Sequence, residues 1–332
     1  MPIRIPDALP AKKILESENI FVMPTTRANS QHIRPLKLLI VNIMPTKITT
    51  ETQLLRLLSN TPLQIDVEWI HMESHQSKNT SQDHLLAFYH TFKDIKNNKY
   101  DGMIITGAPV EKLKFEEVDY WEEFTTILEW SKTHVFSSFY ICWASQAALH
   151  YFYGIDKHLL DQKLSGVYEH TTNSKKMNRK ILRGFDHQFY APHSRYTTLL
   201  AKDIEKFDDL DILATSKDAG PYLIGSVDGS RFFVTGHPEY DPDTLHKEYI
   251  RDKNKGIHPN IPANYYEEDD DTKTIQVKWR SHAYLLFSNW LNYYVYQITP
   301  YDLNEIGQNK IWNPYMVSDF LFILISLQQL HQ

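Results

Sequence analysis

Cys142 is the only cysteine of the chain, and it closes an apolar run, Val135-Phe136-Ser137-Ser138-Phe139-Tyr140-Ile141, just ahead of a helix-like stretch, Ser145-Gln146-Ala147-Ala148-Leu149. A thiol at a strand-to-helix turn is placed to be a nucleophile. The turn lifts the side chain out of the sheet, and the exposed N–H groups of the following helix favour thiolate over thiol. The alternative is a small buried apolar residue that happens to contain sulfur. Candidate partners come later, where the strand-like Phe232-Phe233-Val234-Thr235 runs into Gly236-His237-Pro238-Glu239-Tyr240. His237 can take the thiol proton, and Glu239 can fix its tautomer and steady the imidazolium. With 16 histidines in the chain, one His-x-Glu is weak by itself. It gains weight because the cysteine and the histidine both follow apolar strands, whose carboxyl ends share one edge of a parallel α/β sheet.

The elements that must position these residues follow an α/β pattern. Leu36 to Met44 reads as a strand stopped by Pro45, and Thr50-Glu51-Thr52-Gln53 as a capping box opening a helix with Leu54, Leu55, Leu57 and Leu58. Leu63, Ile65, Val67 and Trp69 alternate as the next strand, Asp101 to Thr106 is a third, and Val135 to Ile141 a fourth. Strands separated by helical segments imply parallel pairing through helical crossovers. Tyr222 to Ser226 and Arg231 to Thr235 flank Asp228-Gly229, a hairpin turn. Ser281 to Tyr296 is an apolar, aromatic closing helix, suited to the core or a dimer surface.

Composition bounds the function. With 332 residues and 42% apolar content, the chain can bury a substantial core. A single cysteine excludes an internal disulfide framework and suits the cytoplasm, and the start does not read as a secretory signal. A net charge of −6 gives no reason to expect nucleic acid. Glu267 to Asp271 lacks calcium-loop spacing and reads as a solvated loop, so no metal is expected. Met316 to Leu327 is apolar but too short, and too interrupted by Asp319, for a membrane span.

Beyond single motifs, the chain closely resembles the homoserine O-acyltransferases of methionine biosynthesis. The matching motifs are Met1-Pro2-Ile3-Arg4-Ile5-Pro6, Ile33-Arg34-Pro35-Leu36-Lys37, Thr61-Pro62-Leu63-Gln64, Thr106-Gly107-Ala108-Pro109 and Ile141-Cys142-Trp143-Ala144. They continue through Ala191-Pro192-His193-Ser194-Arg195-Tyr196, Gly236-His237-Pro238-Glu239-Tyr240-Asp241, Trp279-Arg280-Ser281-His282-Ala283 and Thr299-Pro300-Tyr301-Asp302. The resemblance implies a class I glutamine amidotransferase-like (flavodoxin-like) fold, with a mostly parallel sheet, flanking helices and an antiparallel hairpin. It makes residues 1–302 one acyltransferase domain with an N-terminal arm, and 303–332 a tail to which no catalytic role is given.

Carried over by motif, Cys142 is the acyl-accepting nucleophile, His237 the base and Glu239 its orienter. Backbone N–H groups of Trp143 and of Ala108 in the Gly107-Ala108-Pro109 loop form the oxyanion hole; Pro109 has no N–H to give. Lys163, Ser194 and Arg251 bind homoserine, with Arg251 suited to bidentate capture of its carboxylate and Lys163 a point charge to substrate or oxyanion. Glu111 goes with acetyl rather than succinyl transfer in this family, because a succinyl carboxylate would meet a like charge in that loop. The expected partners are L-homoserine and acetyl-CoA, the latter a co-substrate with no further cofactor, and a homodimer is possible. Two departures stand out: Ala144-Ser145 replaces the glycine-containing elbow common in glutamine amidotransferases, and His32 stands where an acidic residue is expected. A succinyltransferase, a glutaminase subunit built on the same Cys, His and Glu, and an inert interaction protein are the competing functions.

Overall fold

The computed structural model of the protein describes residues 3–6, 8–18, 23–24, 34–75 and 79–307. The expectations placed on His32 and on the 316–327 segment lie outside the described residues. Twelve strands join one sheet: β1 (Ile3–Ile5), β2 (Met23–Pro24), β3 (Leu36–Val41), β4 (Ile65–Ile70), β5 (Tyr89–His90), β6 (Tyr100–Ile105), β7 (Val135–Ile141), β8 (His158–Thr172), β9 (Gln188–Thr198), β10 (Leu210–Ser216), β11 (Gly220–Ser226) and β12 (Arg231–Val234). Their order is β2-β1-β4-β3-β6-β7-β12-β11-β10-β8-β9, with β5 beside β4. Pairing is parallel from β2 to β12 and antiparallel from β12 to β9.

Five helices of eleven or more residues are found among the described residues: α1 (Lys47–Leu58), α2 (Trp121–His134), α3 (Trp143–Tyr153), α4 (Thr244–Asn254) and α5 (Arg280–Trp290). The central strands are apolar on both faces, as a sheet covered on both sides requires. Leu38, Ile40, Ile104 and Phe139 pack with Leu54, Leu58, Phe287 and Trp290 of α1 and α5. Leu39, Val41, Ile105 and Tyr140 pack with Phe124, Leu128, Trp143 and Ala147 of α2 and α3. The closing helix is therefore core, and it continues as a π-helical turn over Leu291–Tyr296. Its Trp290 lies so close to β6 that a Cβ on Gly102 would meet the ring at 3.0 Å.

Two sequence expectations need correction. The first strand ends at Val41 rather than Met44, and α1 starts at Lys47, so Thr50-Glu51-Thr52-Gln53 lies inside the helix instead of capping it. Thr50 Oγ1 bonds back to the Thr46 carbonyl, and the Gln53 amide reaches Asp241 and Thr244. Those polar groups serve the helix interior and a tertiary contact. In the acidic run, Asp269 accepts the Asn264 N–H and Asp271 the Tyr249 hydroxyl; no cluster suited to a metal occurs among the described residues. None of the described helices is long and apolar enough to cross a membrane.

Candidate active site

Strand register brings the three candidate groups together. β7 and β12 are parallel neighbours with Ile141 opposite Val234, so Cys142 and Gly236-His237 leave the sheet at the same edge. On the other side of β7, Ile105 of β6 pairs with Tyr140, which delivers Thr106-Gly107-Ala108 to that edge as well. A Cβ added to Gly107 would lie 3.2 Å from both Cys142 Cβ and His237 Cε1, so the loop backbone runs directly beside the pair.

Cys142 has φ 51° and ψ −112°, a conformation that costs on the order of 1–3 kcal/mol for a non-glycine residue. The surroundings hold it there. Its N–H donates to the Val234 carbonyl at 2.7 Å, and its own carbonyl accepts from the Ser145 N–H, the Ser145 hydroxyl and the Gln146 N–H. The next residue, Trp143, begins α3, where a first-turn N–H has no intrahelical acceptor. The Trp143 indole is fully buried among Phe115, Tyr120 and Phe124, which fixes that turn.

His237 side-chain contacts complete the unit. Its Nδ1 stands 2.7 Å from Glu239 Oε1, the ring hydrogen-bonds to Cys142, and all three residues are buried. Tyr240 stacks on the imidazole at a centroid distance of 4.1 Å. Burial opposes charging the ring, but Cys142 and Glu239 outweigh it and hold the His237 pKa well above its ordinary value. The charged form of the His237 ring is thus favoured.

Above this edge opens a cleft of about 360 Å³ lined by Ala108, Glu111, Cys142, Lys163, Ser194, His237, Glu248 and Arg251, among others. Every residue that the sequence resemblance assigned to substrate or donor choice lines it. Of the two expected oxyanion-hole residues, Ala108 lines the cleft and Trp143 does not. The contacts of the charged groups differ from the simple expectation, however. Lys163 Nζ sits 3.1 Å from Glu248 Oε2 and 3.2 Å from Asp252 Oδ2, and Ser194 donates to the same Glu248 oxygen. Tyr240 donates to the other Glu248 oxygen at 3.0 Å. Arg251, half-exposed, places both Nε and one terminal nitrogen on Asp252 Oδ1, so it meets the cleft already paired.

Glu248 is the residue that sequence reasoning missed. Burial alone would raise its pKa; the Lys163 charge and the Ser194 and Lys163 hydrogen bonds outweigh it and leave it below the usual carboxylate value. A partly buried, ionised carboxylate lining a cleft can hold a ligand ammonium. For Glu111, burial dominates and pushes the carboxyl pKa up.

Comparison with known proteins gives a consistent result. The sequence profile of the homoserine O-succinyltransferase family matches residues 2–301. A homoserine O-acetyltransferase from Catenibacterium mitsuokai is 72% identical over 311 residues, 93% of this chain and 100% of that one. Another from Clostridium novyi is 60% identical over 302 residues, 91% of this chain and 99% of that one. Among solved structures, a glutamine amidotransferase from Thermotoga maritima superposes with a TM-score of 0.50 at 12% identity, over 80% of this chain and 100% of the other. That likeness is one of fold.

Proposed function

Because this chain belongs to the homoserine O-succinyltransferase family, in which its near relatives are homoserine O-acetyltransferases, we infer that it transfers an acetyl group to the side-chain hydroxyl of L-homoserine in methionine biosynthesis. The observation that carries the reading is the buried Cys142, His237 and Glu239 unit at one sheet edge, opening on a cleft with both a carboxylate and cations. Acetyl-CoA is the proposed donor. The Cys142 thiolate attacks its thioester carbonyl, and the oxyanion forms between the N–H groups of Trp143 and Ala108. Collapse expels the coenzyme A thiolate, which takes the proton from His237, and leaves acetyl-Cys142.

Homoserine then enters the vacated cleft. Its ammonium is held by Glu248, and its carboxylate by Lys163 and Arg251, for which Asp252 is the competing partner. Its hydroxyl gives a proton to His237 as it attacks the acetyl carbon, and the second tetrahedral intermediate releases O-acetylhomoserine and the thiolate. Glu239 keeps His237 Nδ1 protonated through both steps.

With one cysteine in the chain, the test is direct. Acetyl-CoA without homoserine should add one acetyl mass, on the peptide containing Cys142, and homoserine should remove it as O-acetylhomoserine. Cys142→Ala should take no label. Labelling elsewhere, or turnover only when both substrates are bound together, would overturn the two-step scheme; ammonia release from glutamine would favour a glutaminase.

A further inference from the structure

Behind the cleft lies a buried group that the scheme above leaves unused. Arg195, on β9, is 1% exposed and has no carboxylate partner among the described residues. Its guanidinium donates to the carbonyls of Thr197 and Ala219, and its Nε donates to His193 Nδ1 at 3.3 Å. An isolated buried cation is costly, and an arginine does not shed its proton to escape that cost.

The hydrogen bonds run in one direction. Since His193 Nδ1 accepts from Arg195, its proton sits on Nε2, which lies 3.0 Å from His170 Nε2. His170 therefore accepts there and carries its own proton on Nδ1, which donates to the Tyr168 carbonyl at 2.9 Å. Both rings are fully buried and neutral. Burial first, and the Arg195 charge after it, push the His193 pKa well below its ordinary value; burial brings His170 down to about 3.

This chain abuts the active site at two points. The Thr197 carbonyl that Arg195 holds also accepts from the Gln146 side chain, whose own N–H donates to the Cys142 carbonyl. The Pro192 carbonyl accepts the His237 N–H at 2.8 Å, and a Cβ on Gly236 would meet His193 at 3.0 Å. Burial draws the Arg195 pKa down to about 10, and proximity to Cys142 offsets part of that effect. The other ionisable groups facing the cluster are Tyr168 and His170 on β8, His193 on β9, Tyr222 on β11, His237 beyond β12 and the exposed Asp218 on the turn that carries Ala219. Lys163, Arg251, Glu248 and Asp252 pair with one another, whereas Arg195 is a buried cation without such a carboxylate partner among the described residues.

We propose that Arg195 is a positioning residue of the transfer site, whose buried charge favours the Cys142 thiolate and whose Nε locks His193 and His170 as neutral, oriented rings beneath the backbone of His237. The proposal rests on Cys142 being the nucleophile. Iodoacetamide alkylation of the sole cysteine, followed by mass between pH 5 and 9, separates the two ideas. Slow, thiol-like alkylation of the wild type at neutral pH sinks the nucleophile itself. With a reactive wild type, Arg195→Met should alkylate roughly tenfold more slowly at pH 6.5, the low end of what an opposite charge does, and reach the wild-type rate at high pH. Arg195→Lys keeps a cation and should fall between them. A wild-type profile in Arg195→Met, or equal shifts in both variants, overturns the proposal. Should Arg195→Met fail to fold, imidazole nitrogen NMR of the wild type decides: His170 and His193 should stay neutral from pH 5 to 8, with protons on Nδ1 and Nε2 respectively, and a charged ring or the opposite tautomers refutes the assignment.

Discussion

Replacing Gly107 by alanine should separate the two halves of the proposed catalytic pair without touching either. The added methyl carbon would sit 3.2 Å from Cys142 Cβ and 3.2 Å from His237 Cε1, whereas carbon pairs settle at about 3.5–4.0 Å. The two side chains must give way by a few tenths of an ångström, which changes the spacing of the pair. A displacement of about 1 Å at a reacting centre costs on the order of 100-fold, so half of that predicts about a tenfold loss, or roughly 1.4 kcal/mol of barrier. Because the thiol and the imidazole work in both steps, acylation by acetyl-CoA and deacylation by homoserine should slow by similar factors. Rapid quench followed by intact mass measures each step separately, and a thermal melt tells the local wedge from general unfolding. Loss of acylation alone would mean that the methyl blocks the thioester rather than parting the pair. A wild-type rate in both steps would refute the geometry on which the proposed mechanism rests.

Glu111→Gly should gain use of succinyl-CoA and lose acetyl preference; like charges ~4 Å apart repel by about 4 kcal/mol at an effective dielectric of ~20, which solvent reduces to roughly 10- to 1000-fold discrimination. A wild-type enzyme that prefers succinyl-CoA would contradict this. Glu248→Gln should raise the KM for homoserine by about tenfold or more, as expected when a charge-assisted hydrogen bond is lost, while acetylation of Cys142 stays near normal; the opposite split would move Glu248 to the donor. For His170, the folded pKa of about 3 lies below the ordinary ~6.5, so the unfolded chain binds more protons between those values. Stability should therefore be full above about pH 6.5 and fall by up to about 1.4 kcal/mol per pH unit on acidification. Urea unfolding between pH 7 and 5 should show a shallower slope in His170→Asn, and an unchanged slope would assign the acid sensitivity elsewhere.

Local pattern placed the proposed nucleophile and its proposed base at strand ends, because strand ends are written in continuous apolar runs. Val135–Ile141 was legible to the residue, and the Asp228-Gly229 turn set the hairpin that places β12, and so His237, next to β7. The substrate side of the cleft was legible only through resemblance. Lys163 rides on the exposed first half of β8 and Ser194 on the largely buried β9, and neither stretch shows the alternation that marks a half-buried strand. Nothing in His246-Lys247-Glu248-Tyr249 separates Glu248 from an ordinary solvated helix glutamate; its partial burial arises where its side chain meets Lys163 of β8, Ser194 of β9 and Tyr240. Arg195 was quoted as part of a motif and given no role, since its chemistry depends on carbonyls of Thr197 and Ala219 that no spacing rule brings together.

A fold shared with glutamine amidotransferases raises the question of why an acyl-cysteine here would be passed to an alcohol rather than to water. Water is present at enormous concentration, so the alcohol must win by position, and effective molarities of about 10⁵–10⁸ M for well-oriented groups make that possible. The charged lining supplies orientation at one end: Glu248 and Lys163 are partly buried and cross-bonded through Ser194, Tyr240 and Asp252, so a zwitterion docking there meets partners that are already fixed. The other end is set by His237, pinned between Glu239 and the stacked Tyr240, whose hydroxyl reaches Glu248. Tyr240 thus ties the proposed general base to the proposed ammonium-binding carboxylate through one rigid ring. The distance between a substrate's amino end and the proton acceptor is fixed by the protein, and water, which cannot bridge those two points, gains nothing from it.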